Sequence, residues 1–198
     1  MSKYSSREIC QLCKAPAALQ NSHIIPAFAF KWLKSGGAGH IRHTGNINKR
    51  VQDGATRKML CADCEALFNA WETKFSREIF NPFCYGGALP SITYGDWLLK
   101  FCVSVSWRSL NYMRAEADFS HYNDRQLGLV ECASETWAEF LLGRRKHPEA
   151  FEQHLALLWQ IHSRRDTSQI HFRQCGQRCG VGRAMSSRMA FRTAGKVG

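Results

Sequence analysis

Behind Cys64, the apolar residues Leu67, Phe68, Trp71, Phe75 and Ile79 fall on one side of a 3.6-residue repeat. The pattern predicts an amphipathic helix from about Ala62 to Phe80. It should end near Asn81-Pro82-Phe83, because proline disfavours a helical residue before it. A turn-rich passage, Tyr85 to Asp96, separates this unit from the next. Asp96 is a good N-cap for a long, mostly buried helix that carries Leu98, Phe101, Cys102 and Val105 and runs through Met113. A third helical pattern spans about Asp124 to Leu142, with Leu127, Val130, Trp137 and Leu141 on its apolar face. Pro148 suits the first turn of a last helix, PEAFEQHLALLWQIH. The text before Cys64 is different: residues 1–8 read as a lead-in, and the stretch from Cys10 reads as short elements and loops with a glycine-rich insertion at residues 35–46. No internal repeat is present.

With 198 residues, 44% hydrophobic and including twelve Phe and six Trp, the chain can bury a real core and is not a disordered protein. No run approaches eighteen apolar residues, and the first thirty residues lack the basic start, apolar run and cleavage site of a leader, so the expectation is a cytoplasmic protein away from membranes. The net charge of +11 is uneven: from Ser163 onward there are eight Lys or Arg and one acid. Clustered cations of this kind fit contact with nucleic acid, DNA in the first place, although a solvated basic tail explains them as well. The oligomeric state is left open.

Nine cysteines include two C-x-x-C pairs, Cys10 with Cys13 and Cys61 with Cys64. In a reducing compartment such pairs point to metal thiolates before disulfides. Zinc takes about four sulfur or imidazole ligands in a tetrahedron, and each C-x-x-C turn presents two sulfurs to one point. Zn²⁺ held by Cys10, Cys13, Cys61 and Cys64 would tie a long loop to the start of the Ala62 helix. Cys175 and Cys179, spaced C-x-x-x-C, read as free thiols.

Between the pairs stands Ser22-His23-Ile24-Ile25-Pro26. The ordered combination of C-x-x-C, this histidine segment and a second C-x-x-C opening a helix resembles the HNH endonuclease family, over residues 7–80, as a divergent bacterial member with two Cys pairs. The resemblance implies an α+β chain: a small zinc-stapled treble-clef or HNH-like ββα unit, followed by a mainly α-helical region. The units expected are a zinc-binding HNH-like domain over 1–82, a helical region over 83–162 packing on it, and a basic, flexible tail over 163–198.

Carried over by position, His23 matches the general base that takes a proton from the water attacking a phosphodiester, a task suited to an imidazole with an ordinary pKa of about 6.5. A divalent Mg²⁺ or Mn²⁺ would stabilise the charge of the transition state. This chain departs from the family at three positions. Ser22 replaces the Asp or His that binds the catalytic metal. Thr56 stands in the asparagine slot, with Asn46 and Asn48 out of register. Glu65 occupies the last ligand slot, where a carboxylate can serve, with Asn69 one turn further on. The alternative is a catalytically degenerate zinc module that grips nucleic acid or a protein partner, and beyond it a purely structural zinc protein. Trp71, Trp107, Trp137 and Trp159 read as core, His40 and His43 as polar loop residues, and Glu72 as a solvent-facing helix residue.

Overall fold

The computed structural model describes residues 8–35, 41–43, 46–51, 54–86, 91–156 and 190–193. Among these, the fold is mixed α and β, mostly helical, with small two-stranded sheets. Strands β1 (Glu8–Ile9) and β2 (Pro16–Ala17) form a short antiparallel hairpin around the first Cys pair. Strand β3 (Gln20–His23) pairs antiparallel with β6 (Thr56–Leu60), placing His23 opposite Thr56. Between these partners the chain inserts helix α1 (Ala27–Ser35) and a hairpin of β4 (Ile41–His43) and β5 (Asn46–Val51). Among the short elements and loops read for this stretch, the structure therefore has a helix and a hairpin.

Helix α2 (Ala62–Phe75) begins at Ala62 with Cys61 as its N-cap, as its period predicts, but the helical run does not end at the proline. A π-helical turn (Ser76–Phe80) leads directly into α3 (Asn81–Tyr85). Pro82 is tolerated because it falls in the first turn of α3, just after the wide turn in which the Asn81 N–H donates to the Ser76 carbonyl. Helix α4 (Asp96–Glu116) has Gly95 as its N-cap, so Asp96 is its first residue and favours the helix dipole rather than capping the end. Helix α5 (Asp124–Leu141) starts with a reciprocal capping box between Asn123 and Gln126. Gly143, at φ 75°, follows its last turn and takes the left-handed conformation that glycine allows.

The last expected helix is replaced by a strand. Glu149 adopts φ 54°, which breaks any helix opened by Pro148. Strand β7 (Gln153–Ala156) then pairs antiparallel with β8 (Ala190–Thr193). Four residues of the segment read as a tail thus join a sheet. Residues 157–162, with Trp159, lie outside the described residues, as do His40, Cys175 and Cys179.

Two apolar clusters hold these elements together. The first joins the Cys-rich unit to the helices through Cys10, Leu12, Met59, Leu60 and Phe68 on one side and Val103, Trp107, Trp137 and Phe140 on the other. The second is aromatic: Phe75 stacks on Phe101 at 3.9 Å between centroids, and Phe28 of α1 lies 4.6 Å from Phe80. Trp107 meets Phe68 edge to face, so it and the buried Trp137 are core residues, as is the half-buried Trp71 beside them. Among the described residues, no helix is long and apolar enough to cross a membrane.

Candidate functional site

The four cysteines come together. Their sulfurs lie within 4.8 Å of one another, with Cys13 Sγ 3.8 Å from Cys61 Sγ. The first pair sits on a tight turn in which the Lys14 N–H donates to the Cys10 carbonyl and the Cys10 N–H to the Ala15 carbonyl, both at 2.9 Å. Lys14 takes φ 63° to close that turn. The second pair spans the N-terminus of α2, where the Cys61 N–H donates to Cys10 Sγ at 3.3 Å. Burial opposes ionisation of Cys10, but donors from the backbone of Cys13, Cys61 and Leu12 bring its thiol from 9.0 down to about 7. Cys64 is pushed the opposite way, by burial and then by the neighbouring sulfurs. Four thiolates this close would repel one another unless a cation stood between them.

A polar cluster lies directly behind this clamp. Ser22 on β3 is fully buried, and its Oγ donates to Glu65 Oε2 of α2 at 2.5 Å. The next residue, His23, is half-buried at the strand end. Its carbonyl accepts a 2.8 Å hydrogen bond from Arg108 Nη1, which comes from α4. Arg108 is buried, and its Nη2 lies 2.5 Å from Glu72 Oε1. Its Nε donates to the Ser104 carbonyl at 3.4 Å, and its guanidinium covers the Phe68 ring at 5.3 Å. Burial pushes the Glu72 carboxyl above its ordinary range, the Arg108 charge pulls it back, and the weaker fields of Glu65 and His23 act on it in opposite directions. Glu72 and Glu65 are seven residues apart, two turns along the same face of α2, with Phe68 between them.

The structure therefore joins Glu65 to Ser22, the residue before His23, and leaves Asn69 out of that contact. Asn69 is exposed, in a shallow hollow with Ala66, Ala70, Thr73, Lys74 and Arg77. Glu72 is corrected: its side chain is only 16% exposed, because Arg108 draws it inward. Arg108 itself escapes the apolar period, although a lone cation within an otherwise buried helical stretch is a signal that could have found it. Thr56 faces His23 across the sheet, while Asn46 and Asn48 lie on β5, in a different sheet. His43 lies on β4, paired with Asn46.

Compared with known proteins, the chain matches no family model, no curated protein and no solved structure.

Proposed function

We propose that this chain is a zinc-stapled nuclease of HNH type, hydrolysing phosphodiester bonds in nucleic acid with His23 as general base. The zinc assignment rests on dimension and donor type. A tetrahedron with Zn–S bonds of about 2.3 Å has edges of about 3.8 Å, and four cysteine sulfurs within 4.8 Å of one another fit it closely. A turn carrying one Cys pair, two antiparallel strands, and a helix opened by the other pair also follow in the order that a treble-clef or ββα-metal unit requires.

The observation that supports the catalytic reading is the contact of Glu65 with Ser22, the residue before His23 in the sequence. The residues are 43 positions apart and come from a strand and a helix, yet they occupy the two slots in which the family keeps its metal ligands. Glu65 offers the anionic oxygen and Ser22 a neutral one, which suits a hydrated Mg²⁺ or Mn²⁺ that keeps most of its waters. Such an ion would stabilise the charge that develops on the phosphate and the leaving oxygen. His23 takes the proton of the attacking water, and the hydrogen bond to its carbonyl fixes the end of the strand that bears it.

A second reading has its own support. Ser22 already satisfies one oxygen of Glu65, and among the described residues the four cysteines are the one group of His, Cys, Asp or Glu gathered closely enough to hold a metal. On that reading the unit binds nucleic acid or a protein without cutting. Nicking of supercoiled plasmid with Mg²⁺ or Mn²⁺ separates the two. The intact chain is expected to nick, and Ser22→Asp to nick faster and at lower metal concentration, since a second anion tightens the site. If neither protein nicks with any divalent ion, the binding module takes the nuclease's place.

A further inference from the structure

We infer that Arg108, held by Glu72, is a positioning residue for His23, so that the helical region completes the nucleolytic site of the Cys-rich unit. The inference rests on the nuclease reading for its kinetic consequence, but not for its geometry. A buried arginine needs partners for its charge and its donors, and this one divides them among three elements. Nη1 binds the His23 carbonyl on β3, Nη2 meets Glu72 on α2, and Nε turns back to Ser104 on α4. The guanidinium plane lies on Phe68, which sits between Glu65 and Glu72. The His23 carbonyl is the acceptor at the very end of β3, where the ladder to β6 ends at Thr56. The Ile24 N–H that follows is tied to the Ala55 carbonyl at 3.0 Å. Arg108 therefore closes the one side of the His23 peptide that the sheet leaves open. The planar fork suits this bracket, since lysine has a single charged nitrogen with which to serve both Glu72 and the His23 carbonyl. General-base catalysis is sensitive to such placement, and a shift of about 1 Å in a reacting group can cost about 10²-fold in rate.

Both charges must be removed together for a clean test, because a lone Glu72 would be a buried unpaired charge, whereas the double change leaves no charge unpaired. The full-length, zinc-loaded Glu72→Gln/Arg108→Met protein is compared with the parent by NMR of the His23 ring and carbonyl and by single-turnover nicking at saturating DNA. The expected result is a shift or broadening of the His23 signals and a rate lower by about 10²-fold at unchanged DNA affinity. Unchanged His23 signals, or an unchanged rate in a parent that nicks, would overturn the inference. If the parent proves inactive, the nuclease reading fails on its own account, and the His23 signals alone decide whether Arg108 positions that residue. Should the double variant not fold, Arg108→Lys replaces it. Lysine keeps a cation for Glu72 but loses the fork, so the same His23 displacement is expected, and its absence would again overturn the inference.

Discussion

At the scale of single residues, the decisive groups are polar ones that the fold has drawn inward. Glu72 reads in the sequence as a solvent-facing helix residue because its neighbours give its angle on α2 and nothing more. The residue that buries it, Arg108, arrives on another helix 36 positions later. Removing Arg108 alone, as Arg108→Met, should cost about 3 to 5 kcal/mol in urea unfolding, since it strands a buried carboxylate; a loss below about 1 kcal/mol would mean that Glu72 finds water instead. Glu72 also gives stability a pH dependence with a defined sign. The unfolded chain releases this proton near 4.5 and the folded chain at higher pH, so above pH 4.5 the folded state holds more protons and stability falls as pH rises. Measured across that window, the parent's unfolding free energy should decline relative to that of Glu72→Gln; parallel curves would contradict the raised carboxyl. The gathering of the four cysteines was legible, because the spacing of each C-x-x-C pair presents two sulfurs to one point. The Ser22 to Glu65 hydrogen bond was not, because its short distance depends on how β3 packs against α2.

At the scale of elements, hydrophobic period located α2, α4 and α5 to within a few residues, although on α5 only the half from Ala133 to Leu141 is buried and Leu127, read as part of its apolar face, is exposed. It failed where pairing is remote. Gln153–Ala156 reads as helix by its local pattern, but its strand partner Ala190–Thr193 begins 34 residues after it ends, and Trp137 Nε1 and Ser106 Oγ anchor the segment's approach through Phe151 and Gln153. The turn of the first Cys pair was legible from C-x-x-C, whereas the β4–β5 hairpin was hidden by the glycines before and within it, and α1 by its short length of nine residues. One element-level consequence is simple to measure. Asn123 closes the capping box of α5 with 3.0 Å bonds in both directions to Gln126, and Asn123→Ala should cost about 1 kcal/mol in unfolding free energy. No change would indicate that α5 is held by packing alone.

For the molecule as a whole, the Cys-rich unit and the helices share a core that runs from the sulfurs to Trp137, so a metal held by the four sulfurs would stabilise the same structure as the packing. Cys61→Ser, which removes one of the four sulfurs and leaves a residue able to cap α2, should lower the bound zinc from one per chain to none and reduce solubility; full zinc content by elemental analysis would refute the thiolate clamp. The basic segment from Ser163 carries eight cations, and a test of its role should spare β8. Replacing Arg164, Arg165, Arg173 and Arg178 with Gln should flatten the dependence of DNA affinity on salt, by about 0.9 in slope for each phosphate no longer neutralised. An unchanged slope would show that those cations do not touch the backbone. The central claim, that a sulfur-clamped strand and helix bring a general base to a phosphodiester, is tested most directly by plasmid nicking with the parent and His23→Ala at equal zinc content. The account predicts Mg²⁺- or Mn²⁺-dependent nicking that falls by about 10² to 10⁴ in the variant while fold and zinc are retained. Equal nicking by the two proteins would contradict it.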